Sequence, residues 1–177
     1  MRRSAAGVSL SLLLTGTASA AMSSTSVDIR PGAAIPIAHI YPRCGGENIS
    51  PALSWSGAPS TTKSFVLTMN DIDVKPDKWS HWVVVGLPAT VKSLPRGVTS
   101  LPGGAKAIVS NFADAAYSGP CPPKGTGVHH YEFTIWALPT AEISLADDGK
   151  ATILTELLSK RALDRASVVG LVSAPSS

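Results

Sequence analysis

The chain has 177 residues, 44% of them hydrophobic and 15% charged, a balance that suits one globular domain with a single core and gives no sign of disorder. Its formal charge of +3 rests partly on Arg2 and Arg3; once both leave with a cleaved leader, the 15 Lys and Arg become 13 against 12 Asp and Glu. A nearly neutral mature chain has no electrostatic footprint for nucleic acid, and that partner class is excluded.

The leader is the first element in chain order. Residues 1–20, "MRRSAAGVSLSLLLTGTASA", pair two arginines with an apolar run from Val8 to Leu14 and end on Ala18-Ser19-Ala20, the small-x-small pattern of a signal-peptidase site. This predicts a signal peptide over 1–20, Ala21 as the mature N-terminus, a periplasmic or secreted location, and a single domain over 21–177. A membrane anchor is the weaker reading, because the apolar run falls short of the ~20 residues a spanning helix needs.

Strand signals follow at Ala34 to Tyr41, Ser64 to Asn70, His81 to Leu87, His129 to Leu138 and Val168 to Val172, divided by Gly, Pro, Asn and Ser clusters. "LPRGVTSLPGG", Leu94 to Gly104, reads as a long surface connection. One helix is expected over Ala151 to Arg165, where Ile153, Leu154, Leu157 and Leu158 form an apolar stripe and Asp147 and Asp148 can cap the first turn. The protein is therefore read as mostly β.

Alternate side chains of a strand point to opposite faces, so parity places the polar residues. His129 and Tyr131 share the face of Phe133 and Ile135, while His130 points the other way. Asp71 and Asp73 continue the face of Phe65, Leu67 and Met69, and His81 opens a strand beside Val83 and Val85. Three strands thus each carry a polar residue at one end of an apolar face, which is how a shallow site is built at a sheet edge.

Cys44 and Cys121 are the chain's two cysteines. An oxidising compartment favours pairing them, and closing that loop restricts the unfolded chain by up to about 4.5 kcal/mol on the entropy model. Two free buried thiols are the alternative; a zinc site is poorer, since neither cysteine lies in a C-x-x-C pair.

Four segments in order, "GENISPALSWSGAP", "KSFVLTMNDIDV", "HWVVVGLP" and "GPCPPKGTGVHHYEFTIWAL", resemble the phosphatidylethanolamine-binding proteins, specifically their bacterial Raf-kinase-inhibitor-like branch. The resemblance runs from about Cys44 to Leu138. It implies a β-sandwich of two antiparallel sheets with one or two peripheral helices near the C-terminus, holding a small pocket that accepts phosphate, acetate or a phospholipid headgroup. Matched by motif, the pocket would comprise Asp71, Asp73, Trp79 as an aromatic wall, His81, Cys121, Pro122, Pro123, His129 and Tyr131. The cysteine pair is similar to that of exported bacterial members, which favours a Cys44–Cys121 bridge. Two departures stand out: the family's D-P-D segment is Asp71-Ile72-Asp73, and the stretch before the G-P-C-P-P loop reads "NFADAAYSG".

The residue types suit a small anion. His81 and His129 can donate from ring nitrogens, Tyr131 from its hydroxyl, and the loop from backbone N–H groups. A carboxylate at Asp71 beside a histidine is expected to raise that histidine's pKa. His39 reads as a strand residue without a role and His130 as a solvated or interface residue.

The leading function is a non-catalytic binding protein for a small anion, with no cofactor. A protease inhibitor or another interaction module of the cell envelope is the alternative, and bacterial relatives suggest a homodimer. An enzyme built on Asp71, His81 and His129, as a metal site or acid/base set, is disfavoured because no G-x-S-x-G or H-E-x-x-H context accompanies them.

Overall fold

A computed structural model of the protein describes residues 21–143 and 151–176. The expected leader over 1–20 and the expected capping residues Asp147 and Asp148 lie outside the described residues. The strands are β1 (Ser23–Thr25), β2 (Leu53–Ser56), β3 (Ser64–Asp71), β4 (Trp79–Pro88), β5 (Ser93–Leu94), β6 (Lys106–Ala107), β7 (Val128–Leu138) and β8 (Asp164–Ser173), with one helix, α1 (Ala151–Arg161), before β8.

Two antiparallel sheets form. A small sheet has the order β1-β2-β5, and a large one the order β6-β4-β3-β7-β8. β3 is buried along its whole length because it lies at the centre of the large sheet with both faces covered. That explains why "SFVLTMND" carries the apolar triplet Phe65, Val66 and Leu67 rather than a strict alternation, with its polar residues buried as well.

The two faces of the large sheet support two clusters. Phe65, Leu67, Met69, Tyr131, Phe133 and Ile135 meet Leu53 and Trp55 of the small sheet, so the main core lies between the sheets. On the opposite face Val66, Val83, Trp136 and Leu138 pack with Leu154 and Leu158 of α1. The helix thus covers the outer face, and each fully buried side chain of this size contributes about 1.5–3 kcal/mol. The parity expected along β7 is observed, with odd positions facing the small sheet and Trp136 facing the helix.

Three expectations are corrected. Ala34 to Tyr41 is not a strand: Ala34 makes one bridge to Leu171, after which 3-10 turns occupy Ile37–His39 and Pro42–Cys44. Pro36 and Pro42 bring no N–H to a ladder and fix their own φ, so the apolar pattern cannot propagate as a strand. The helix ends at Arg161 rather than Arg165, because Asp164 and Arg165 pair with Ala137 and Trp136 in β8.

His81, finally, does not lie beside Val83 and Val85. Met69 pairs with Trp82 and Asn70 with Ser80, leaving His81 as the extra residue of a β-bulge. The bulge shifts the parity, so Val83 and Val85 turn toward α1 while His81 stays on the face of Tyr131.

Candidate functional site

Where β3, β4 and β7 end together, register sets the site. Asp71 pairs across the sheet with Trp79 on one side and with Tyr131 on the other, and the bulge swings the His81 ring edge-on to the Tyr131 ring with centroids 5.1 Å apart. These residues line a pocket of about 340 Å³ with Arg43, Val74, Phe112, Cys121, Pro122 and Pro123. Asp71, Trp79, His81, Tyr131 and the Cys121 to Pro123 loop therefore come together as expected. Asp73 and His129 lie outside the pocket wall.

His129 stands behind Asp71. Its Nδ1 is 2.6 Å from Asp71 Oδ2, and its Nε2 is 2.8 Å from Thr126 Oγ1, whose hydroxyl in turn donates to the Pro123 carbonyl. Both ring nitrogens are thus committed to protein partners, and His129 orients the carboxylate and ties it to the Pro-rich loop. Asp73 serves the other direction: its N–H donates to Asp71 Oδ1, and its Oδ2 accepts from the backbone N–H of His130 at 2.6 Å and lies 2.9 Å from the His130 ring. Burial works against the Asp73 charge, but these His130 contacts outweigh it and hold the carboxyl below its ordinary value.

Asp71, Asp73 and His129 each bring one ligating atom within 4.8 Å of the others. Every one of those groups is already hydrogen-bonded within the network, and His81 Nδ1 is held by the Ser118 carbonyl at 2.9 Å. The arrangement is a braced carboxylate rather than an open set of metal ligands.

His81 differs from expectation. Burial pushes its pKa down to about 4, against the Ser118 carbonyl and the Asp71 carboxylate, which both raise it. A carbonyl can only accept, so the bond to Ser118 places the single proton of the neutral ring on Nδ1 and leaves Nε2 as a lone pair. The Tyr131 hydroxyl is held in its protonated form by burial and by the neighbouring Asp71 carboxylate. It is buried beside Asp71 and the Cys121 backbone, with neither in hydrogen-bonding geometry.

The pocket's far wall is carried by a braced loop. Asn48, in the left-handed region at φ 57°, accepts from the Gly119 N–H at 2.7 Å and donates to the Tyr117 carbonyl at 3.1 Å. The Tyr117 hydroxyl donates to His39 O, and Tyr41 N–H donates to Pro120 O. Segments 39–41 and 117–120 run so close that a Cβ at Gly119 would sit 2.3 Å from His39 O. His39 itself is buried at the end of its 3-10 turn, with Nδ1 on the Ile49 carbonyl at 2.6 Å, a structural post rather than a strand residue.

The Cys44–Cys121 disulfide is present, with Cα atoms 5.5 Å apart. It joins the turn bearing Arg43 to the loop bearing Pro122 and Pro123, so the two rims of the pocket are covalently linked. Sequence reasoning missed Arg43, Phe112 and Asn48. Arg43 is exposed and makes no ion pair among the described residues, and Phe112 stacks near His81, Trp79 and Tyr41. Arg43 was legible in principle, because a bridge from Cys44 to Cys121 must carry its neighbour to the same rim. Phe112 was not, since the irregular "NFADAAYSG" carries no periodicity.

Comparison with known proteins places these features in context. Residues 25–173 match the family model described as phosphatidylethanolamine-binding protein. The chain is similar to UPF0098 protein YbcL of Escherichia coli, 38% identical over 84% of this chain and 86% of the relative. It is also similar to UPF0098 protein YbhB of the same organism, 36% identical over 84% and 98%. A Mycobacterium tuberculosis protein named as the lipoprotein LppC is 33% identical over 78% of this chain and 66% of its own. The crystal structure of Escherichia coli YbcL, described as a new member of the mammalian PEBP family, superposes with a TM-score of 0.79 at 36% identity, covering 86% of this chain and 98% of that one.

Proposed function

The chain belongs to the phosphatidylethanolamine-binding protein family, and from that membership we propose that it is an exported, non-catalytic binding protein whose pocket takes a small oxyanion, a phosphate or a phosphorylated headgroup. The observation that carries the reading is the Tyr131 hydroxyl, buried on the pocket wall without a hydrogen-bond partner. A buried hydroxyl left unpaired costs about 1–3 kcal/mol, and a ligand oxygen seated in the pocket recovers it. The Arg43 guanidinium at the rim supplies the positive charge that an anion needs on entry.

Two further observations support a binding protein over an enzyme. The row Thr126, His129, Asp71 superficially resembles a relay, yet the Thr126 hydroxyl donates to the Pro123 carbonyl, and neither Thr126 nor His129 lines the pocket. The cationic and donor groups that do line it have no nucleophile among them in contact with a free base. Export is supported by the leader pattern over 1–20, by the disulfide, which persists in oxidising compartments, and by the lipoprotein name of one relative.

Tyr131→Phe tests the reading with little risk to the fold, because the lost hydroxyl has no partner to abandon. Calorimetric titration of inorganic phosphate is expected to show about tenfold weaker binding in the variant, the worth of one hydrogen bond to a charged group, with a urea midpoint that rises because the unpaired buried hydroxyl is gone. Equal affinity in both proteins would remove Tyr131 from the site and with it the observation on which the proposal stands.

A further inference from the structure

Two stretches that the oxyanion pocket leaves without a role, "LPRGVTSLPGG" and "NFADAAYSG", line one groove beside the β6 edge of the large sheet. We infer that this groove docks an extended acidic peptide, a segment of a partner protein that adds as a strand outside β6. The groove has a volume of about 530 Å³ and shares no lining residue with the oxyanion pocket. Segments 98–101 and 115–117 flank it, β6 borders it, and Trp82 of β4 lies beneath, with the Tyr117 ring edge-on at 5.4 Å between centroids.

Two sets of hydrogen-bonding groups stand open there. Trp82 is 2% exposed, yet its indole N–H donates to no group among the described residues, whereas that of Trp136 is held by Thr68. A buried indole ordinarily finds an acceptor, and a ligand in the groove that Trp82 lines supplies one. The second set is backbone. Ile108 N–H donates to Val83 O, so in an antiparallel ladder Lys106 and Ile108 turn their N–H and C=O groups inward to β4. Ala107 and Val109 turn theirs outward, where none meets a partner among the described residues. An open edge of this kind takes an extended peptide by main-chain pairing.

Register decides what the peptide carries. Ala107 stands opposite Val84 of the main core, and Lys106 opposite Val85, which packs on the helix-facing cluster. A strand added outside β6 therefore turns alternate side chains toward the groove and the others toward Lys106. The small side chains of Ala105, Ala107, Ala115 and Ala116 leave room for the first set. Lys106 is exposed, makes no ion pair among the described residues and is the one charged residue lining the groove. An edge lysine discourages indiscriminate strand pairing, and a carboxylate placed opposite converts that repulsion into the selecting contact. The occupant is thus a strand-forming segment with an acidic residue facing Lys106 and a hydroxyl or other acceptor facing Trp82.

Two synthetic peptides, acetyl-TVETV-amide and acetyl-TVKTV-amide, test this because they differ only in the charge at the centre. Each is titrated to millimolar concentration into the mature, oxidised, ¹⁵N-labelled protein while the indole N–H resonances are followed. The Glu peptide is expected to move the Trp82 resonance along a saturable curve and to leave Trp136 in place, and the Lys peptide is expected to bind about fivefold more weakly. Lys106→Glu is expected to reverse that preference with inorganic phosphate affinity unchanged, since Lys106 does not line the oxyanion pocket. A Trp82 resonance that neither peptide moves would overturn the groove, and equal affinity for the two peptides, or no reversal in the variant, would overturn the acidic selection. Peptide binding that phosphate displaces would place the peptide in the oxyanion pocket and overturn the docking site. A Trp82 resonance that shifts on dilution of the protein alone would assign the edge to a second copy of this chain and overturn the partner.

Discussion

Replacing Cys44 and Cys121 together by serine lowers the unfolding free energy by about 2–4.5 kcal/mol, the upper figure being the loop-closure entropy for a crosslink of this length. The cysteines are 77 residues apart in sequence, and the segment between them contains β2 through β6, half of the main core included. An unfolded chain freed of that crosslink gains the conformational entropy of the whole loop. The native state loses something different. The bridge fixes the Pro42–Cys44 turn against the Pro-rich loop, and with it the distance from Arg43 to Pro122 and Pro123 across the pocket mouth. The serine variant is therefore expected to bind inorganic phosphate about threefold to tenfold more weakly as well as to unfold at lower urea, since a guanidinium that is no longer held pays its ordering on binding. Coincident urea transitions for the two proteins would contradict the stability assignment, and equal phosphate affinity would detach the bridge from the pocket.

Acidification is the second large effect, and its sign follows from His81. The folded ring has its pKa depressed to about 4, below the ordinary 6.5 that the unfolded chain shows, so the unfolded state binds more protons between those values. The neutral ring's contribution is fully present above pH 6.5 and is lost as the pH falls toward 4, amounting to about 3 kcal/mol over that window. His81→Gln isolates it. The glutamine amide can still donate to the Ser118 carbonyl, and it has nothing to protonate. Urea unfolding near pH 7 and near pH 4.5 should show the wild-type protein losing about 2.5 kcal/mol more than the variant on acidification. Parallel losses in the two proteins would place the acid sensitivity elsewhere.

Much of the framework is legible in the sequence because the central strands are long and regular. The alternation in "HHYEFTIWAL" assigns β7 its two faces, and the apolar run of "SFVLTMN" marks a strand covered on both sides. The shared ends of β3, β4 and β7 follow from the same patterns, and with them the meeting of Asp71, His81 and Tyr131. The small sheet is harder to see. Its strands are two to four residues long, too short for a period of two to declare itself, and β2 stands out only once Leu53 and Trp55 are known to face the core.

The site's finer features depend on geometry that periodicity does not encode. The bulge at His81 adds one residue to β4 and reverses the faces that follow as far as Val85, so Val83 and Val85 belong to the helix-facing cluster, until a second register shift returns Leu87 to the main core. Parity made His129 a pocket residue, and its face is as expected. What parity could not weigh is that two close partners, Asp71 and Thr126, occupy both of its nitrogens. The expected rise in histidine pKa beside Asp71 likewise fails for His81, where desolvation outweighs a carboxylate already shared with other donors.

The most direct test of the oxyanion pocket follows the ring nitrogens themselves. In ¹⁵N-detected correlation spectra of the mature, oxidised protein near pH 6, adding methyl phosphate is expected to move the His81 Nε2 resonance along a saturable curve while the resonances of His39 stay in place. A His81 signal that stays fixed at every phosphate concentration, or a shift confined to His39 or to the exposed His130, would contradict the assignment of this pocket as the ligand site.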